Sequence, residues 1–289
     1  MASVLMGDAE KNLILEGIKE NIRVDGRQRK DVRPMILETD IITHANGSAR
    51  VQLSNTDVLV GVKAELCEHK PGGGLEFYVD CSANASPVFE GRGGEDLALE
   101  IASTPSSSYS DNKLFNRSIL NVLQNRYAWI LHVDVLILEV EGGNLFDVAS
   151  SAVKAALFAT QIPKVHIVDV DGGVPEIELS EDPDECFRLD VSNAPVLVTL
   201  NRIGHFCIAD ASPNEEACSS AAMVIAVSPS GRISSLRKIG DGSFHPDTLD
   251  DALSTAGDVG MCLNKALFKK LQAEEGLGSK KKECGFLRE

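Results

Sequence analysis

The chain is poor in aromatic residues and in positive charge. One Trp, three Tyr and ten Phe make up 5% of its 289 residues, and 28 Lys and Arg face 43 Asp and Glu. A formal net charge of −15 argues against an independent duplex-DNA binder, which carries a basic footprint. It leaves room for a local basic patch or for a place in a larger assembly. No run of about 18 apolar residues occurs, so nothing reads as a membrane-spanning helix. The N-terminus lacks a basic start and a continuous apolar stretch, and no signal peptide is expected there. Paired cysteine spacing is missing too. Cys67, Cys81, Cys186, Cys207, Cys218, Cys262 and Cys284 form no CxxC pair. They are expected as reduced thiols, and no metal site is expected, because structural zinc usually shows paired ligands. Without secretion, the Asn-x-Ser sequons at Asn46, Asn84 and Asn116 are expected to be chance matches.

What remains is an ordinary globular composition, 43% hydrophobic and 25% charged, at a length that fits one large domain or two small ones. Residues 1–22 predict an amphipathic helix with Leu13, Ile14, Gly17, Ile18 and Ile22 on one face. Asp8 is the expected cap, with Lys11 where a capping box wants Glu. Ala49–Leu53 and Val58–Val62 read as a hairpin across Asn55-Thr56-Asp57. Lys70–Gly74 reads as a loop, followed by a half-buried strand of alternating Leu75, Phe77, Val79 and Cys81. Glu95–Ala102 predicts a helix that Pro105 and Ser106-Ser107-Ser108 keep short or kinked. Trp129–Glu139 reads as a central strand. Gly142-Gly143-Asn144 opens a helix from Leu145 to Thr160, whose Ala and Ser content predicts close packing on a sheet.

Residues 23–168 therefore form a first domain, and the acidic, turn-rich stretch 169–194 a linker. A second domain, 195–275, reads as strands at Val196–Leu200, Phe206–Ala209, Ala221–Val227 and Arg232–Lys238. A long amphipathic helix follows from Pro246 to Leu271, with Gly257 and Gly260 marking close approaches. Residues 276–289, with Lys280-Lys281-Lys282, read as a solvated tail. The expected class is α+β, built of two similar sheet-plus-helix halves.

Several motifs in order carry a resemblance. They are Arg23-Val24-Asp25-Gly26-Arg27, Arg33-Pro34, the run Gly47–Lys63, Phe89–Glu95, Gly142–Asp147 and Pro213-Asn214-Glu215-Glu216. Together they span about residues 20–275 and resemble the RNase PH family, most of all the non-catalytic ring subunits of the RNA exosome core. The resemblance implies an RNase PH-like fold and, in active members, 3′-to-5′ phosphorolysis of RNA; no cofactor is expected for this chain. It implies a ring of six RNase PH-like subunits, RNA-binding cap subunits, an associated exoribonuclease and single-stranded RNA as partners. It also implies the nucleus, nucleolus and cytoplasm as locations.

Two departures matter. Active members place Gly-Ser-Arg or Gly-Thr-Arg in the phosphate loop that opens a helix, where backbone N–H groups and the helix dipole favour an anion. Here the positions read Gly143-Asn144-Leu145, and Asp147 would repel phosphate further. Active members also carry two aspartates about six positions apart. Asp210 matches the first, also readable as a strand-end turn residue. Ala217 falls at the second, with Glu215 or Glu216 as possible substitutes. The site is thus expected to be degenerate at Asn144, Leu145, Asp210 and Ala217. The expected function is a non-catalytic structural subunit that supports RNA processing and degradation by partner nucleases. The alternative is an active phosphate-dependent exoribonuclease, alone or with a paralogue completing the site. Arg92, Lys113, Arg117 and Arg126 are candidates for RNA contact, or else ordinary surface charges. Related subunits carry arginines where Ser103, Ser107 and Ser110 stand here. Arg23, Asp25 and Arg27 are expected to form an ion-pair cluster.

Overall fold

The computed structural model describes residues 6–68, 74–109, 115–123, 126–168, 176–180, 182 and 185–277. Helix α1 (Asp8–Lys19) is capped by Gly7, not Asp8. With the cap one residue earlier, Glu10 falls at the third helical position, and its carboxylate accepts from the Gly7 N–H at 2.9 Å. Only Ile14 and Ile18 are buried, against Ile203, Ile208 and Ala211. Leu13 and Ile22, expected on the same face, are exposed.

Six strands build the first sheet: β1 (Ile36–Thr39), β2 (Gly47–Leu53), β3 (Thr56–Glu68), β4 (Gly74–Cys81), β5 (Asn121–Leu123) and β6 (Tyr127–Val140). Their order is β1-β2-β3-β6-β4, with β5 added to β6. The β2–β3 hairpin turns at Ser54-Asn55, with Ser54 left-handed, so Leu53 pairs Thr56. Strand β4 runs parallel to β6, and the rest of the sheet is antiparallel. Alternation then does what the sequence suggests. Val58, Val60 and Val62 of β3 and Val133, Val135 and Ile137 of β6 are buried, while Lys63, Glu65 and Asp134 face out.

Helix α2 (Glu95–Ser108) packs on β4 and continues past Pro105 to Ser108, so it is not cut short there. Hydroxyls sustain its last turns. Thr104 Oγ1 donates to Glu100 O, Ser106 Oγ to Ala102 O and Ser108 Oγ to Thr104 O, each at 2.8–2.9 Å. The serine run that argued for a break therefore satisfies helix carbonyls from the side chains.

Helix α3 (Leu145–Ala159) is buried on nearly every side. It packs on β2 and β3 below and on the second half above, which is why small Ala and Ser residues surround it. Beyond it lie β7 (Gln161–Pro163), β8 (Val165–Val168), β9 (Glu176–Leu179) and β10 (Cys186–Arg188). Strand β9 pairs back on β8 and β10 on β7, so the expected linker carries two strands. Its Asp171-Gly172-Gly173 turn lies outside the described residues, as do residues 70–73 and Lys280-Lys281-Lys282.

The second half contains β11 (Val196–Ile203), β12 (Phe206–Ala209), α4 (Pro213–Cys218), β13 (Ala221–Val227), β14 (Ile233–Ile239) and α5 (Pro246–Leu277). Its sheet is antiparallel in the order β12-β11-β13-β14. Helix α5 runs past Leu271 into the expected tail and packs on β11, β12 and β13. The chain is thus α+β, with two larger sheets that share α3 and two small two-stranded ones.

A buried lysine fastens the halves. Lys154 of α3 donates to Ala194 O at 2.6 Å and to Asn264 Oδ1 of α5 at 2.7 Å. Asn264 in turn donates to Val227 O of β13 at 3.0 Å. Among the described residues no carboxylate hydrogen-bonds the ammonium, and burial pushes its pKa down to about 8. Unfolded lysine titrates near 10.4, so between these values the unfolded chain holds more protons. Stability relative to Lys154→Met should therefore rise with pH from about 8 to about 10, by up to about 3 kcal/mol; urea unfolding at several pH values measures it.

The two helix glycines differ. A Cβ on Gly260 would meet Val227 Cβ at 2.5 Å, whereas one on Gly257 meets nothing within 4 Å. Gly260→Ala is expected to lose about 1–3 kcal/mol by overpacking, and Gly257→Ala to gain about 1 kcal/mol of helix propensity. Thermal unfolding of both variants checks the pair.

Candidate functional site

The site lies where three pieces of chain meet. The first is the loop from β6 into α3. Gly143 and Asn144 are both left-handed there, with φ of 73° and 55°. That conformation suits glycine and asparagine and fits the residues found. The second piece is the end of β12, where Asp210 follows the strand with φ of 49°. The third is the N-terminal segment, with four arginines between residues 23 and 33.

Asp210 is fully buried and accepts five hydrogen bonds. Arg33 supplies three: its Nη2 reaches Oδ1 at 2.7 Å, and its Nε and backbone N–H reach Oδ2 at 2.9 and 2.7 Å. Arg27 Nη1 adds one to Oδ2 at 2.8 Å, and Asn144 Nδ2 one to Oδ1 at 2.8 Å. Burial alone would raise the Asp210 pKa. The hydrogen bonds and charge of Arg33, with help from Asn144, outweigh it and hold the carboxyl below its ordinary range. Asp210 is therefore the strand-end residue that the pattern suggested, and also the hub of the site. Arg33 also donates to Gly142 O at 2.8 Å, tying the same guanidinium to the loop.

Helix α4 holds the remaining carboxylates. Pro213 starts it, and Ser212 N–H donates to Glu215 Oε2 at 2.8 Å as a cap. Glu215 is locked in a buried bidentate pair with Arg23. Arg23 thus pairs across the fold and not with Asp25, which binds Arg27 at 2.6 Å, so the expected local cluster is two separate contacts. Glu216 points at the loop, and its Oε1 accepts from the Asn144 backbone N–H at 2.7 Å. Burial pushes the Glu216 pKa up, while the Asn144 N–H and Arg33 pull against that. Ala217 is exposed on α4. The acidic position that faces the loop is therefore Glu216, six residues after Asp210, and not Ala217.

Asp147 stands beside the same cluster, hydrogen-bonded by the Asn144 side chain and close enough to Asp210 to feel its charge. It is buried in the first turn of α3, accepts from Thr199 Oγ1 at 2.7 Å, and burial raises its pKa to about 7. Leu145 is half-buried at the start of the helix. Asn144, Asp210 and Glu216 are thus bonded together, with Leu145 next to Asn144. Among the described residues no cluster of three or more His, Cys, Asp or Glu is arranged to hold a metal.

The candidate RNA contacts lie apart from this site. Arg92 is 91% exposed and stands 3.8 Å from Glu95. Arg117 is half-buried and donates to Tyr109 O at 2.9 Å. Arg126 is exposed in the turn before β6. Lys113 and Ser110 lie outside the described residues; Ser103 and Ser107 are exposed on α2.

The sequence matches the 3′ exoribonuclease family in two parts, domain 1 over residues 31–163 and domain 2 over residues 193–259. This chain belongs to that family, RNase PH. A Dictyostelium discoideum protein named as a candidate exosome complex exonuclease, RRP42, is 33% identical over 91% of this chain and 97% of its own length. The exosome complex component Rrp42 of Methanopyrus kandleri is 28% identical over 87% and 93%. In fold, the chain is similar to a subunit of the Archaeoglobus fulgidus exosome solved with RNA bound to the active site. The TM-score is 0.74 at 24% identity, over 90% of this chain and 98% of that one. The paired-domain RNase PH fold implied by the motifs is the one observed.

Arg27 and Arg33 as the partners of Asp210 went unread in the sequence; the only signal was the density of arginines from Arg23 to Arg33. Removing the hub charge leaves two guanidiniums facing each other. Asp210→Asn is expected to cost about 3–5 kcal/mol at neutral pH. Because the folded-state pKa lies below the unfolded value, the ionised carboxylate stabilises above the unfolded pKa and that contribution is lost as pH falls through the folded one. The gap between wild type and variant should therefore close in acid, as urea unfolding at neutral and acidic pH measures.

Proposed function

We propose that this chain is a structural subunit of an exosome core ring, contributing fold, interfaces and part of an RNA path while partners carry the chemistry. The loop at Gly143-Asn144-Leu145 is what carries the reading. Phosphorolysis needs donors for the attacking phosphate and for charge on the transferring phosphoryl group. Here an amide replaces the hydroxyl and an isobutyl group the guanidinium. Arg33, whose guanidinium reaches the loop, is engaged by Asp210, Gly142 O and Ala211 O. Losing one charge-assisted bidentate donor costs on the order of several kcal/mol, enough to silence turnover.

The relatives' names support the place in the assembly, since they are exosome components matched over nearly their full lengths. Other RNase PH-like subunits, RNA-binding cap subunits, an exoribonuclease and single-stranded RNA are the partners of this proposal. The nucleus, nucleolus and cytoplasm are its locations. Exposed Arg92 and Arg126 are its candidate phosphate contacts, binding without sequence readout. Arg117, held to Tyr109, serves structure first.

One observation favours a second reading. Asp210 and Glu216 both bond Asn144, so the acidic pair is in place. A paralogue that supplied the missing cation would complete a phosphorolytic site. The purified chain, given oligo(A) and inorganic phosphate, is expected to release no nucleoside diphosphates, and the double substitution Asn144→Ser with Leu145→Arg to bind phosphate more tightly. Robust release by the wild type, or equal phosphate affinity in both proteins, would contradict the inert-subunit reading.

A further inference from the structure

Helix α3 begins with backbone N–H groups that have no partner within the helix, a natural anion site. In this chain an anion is already there. The Asn144 N–H donates to Glu216 Oε1 at 2.7 Å, and the carboxylate lies so close over the loop that a Cβ on Gly143 would meet its Cδ and Oε1 at 3.3 Å. The arm that delivers it is fixed at its base. Pro213 sets the first turn of α4, Glu215 caps it through Ser212, and Arg23 clamps Glu215 from the N-terminal segment. Glu216 is the next residue, so it is aimed at the loop by a buried ion pair on its neighbour.

We propose that Glu216 is a built-in anion which occupies the backbone cradle ahead of α3 and determines that this loop takes no phosphate. The inference rests on reading the loop as a vacated phosphate site and adds a second cause of its silence. The exchange at Asn144 and Leu145 removes attraction for phosphate; the Glu216 carboxylate fills the place and repels a second anion. Asp210, engaged by Arg27, Arg33 and Asn144, leaves those side chains unable to swing over and neutralise Glu216 fully.

The test uses the isotopically labelled full chain titrated with inorganic phosphate, followed at the Asn144 amide by NMR. The wild-type signal is expected to stay in place. In Glu216→Ala the amide loses its charged acceptor, shifts, and shifts again as phosphate binds about ten-fold or more tightly than to wild type. Glu216→Gln keeps the size and the hydrogen bond but drops the charge, and should show a smaller gain, which covers the case in which the alanine variant folds poorly. A folded variant that binds phosphate no better than wild type overturns the proposal. That outcome leaves the inert-subunit reading intact, because turnover by the wild type, and not phosphate binding by a variant, is what rejects it.

Discussion

Five hydrogen-bond donors converge on one buried carboxylate, and most of the site follows from that. Asp210 draws in Arg33 and Arg27 from the N-terminal segment and Asn144 from the loop before α3, so it links the end of a strand in the second half to the first half and to the arm that precedes it. A buried charge in this position is tolerable only because it is paired and fully bonded. The same pairing has a chemical consequence. Guanidiniums that stand beside a potential phosphate loop are already neutralised, and the loop itself offers an amide and an isobutyl group. The arrangement commits these groups to holding the fold together.

Helix α3 is the second constraint. Both sheets rest on it, and its small Ala and Ser residues let them approach. Lys154 and Asn264 then stitch it to α5 and to the chain entering β11. The loop at its N-terminus is therefore held by both halves and cannot reposition without disturbing a shared core.

Much of this was legible in the residues. Period-two alternation marks β2 and β4, and an apolar, β-branched run marks the central strand β6. The Gly-Asn loop announced α3, and the ordered motifs gave the family. Other features depended on contacts between distant residues. Gly7 has no side chain to mark it as a cap, although Glu10 stands at the capping-box spacing. Pro105 reads as a short or kinked end, yet α2 continues to Ser108, and the serines of that stretch bond carbonyls of the helix itself. Glu216 and Ala217 are neighbours on a short helix, and only the turn of α4 decides which of them faces Asn144. Arg33 is 177 residues from Asp210, a pairing that no local pattern encodes.

The account's central claim is that this polypeptide serves by assembling. Native mass measurement of the chain co-expressed with its RNase PH-like partner subunits tests that most directly. A single hetero-oligomer containing this chain in a six-membered ring is the predicted species. A chain that remains monomeric, or that forms only complexes with itself while the partners assemble without it, would contradict the account.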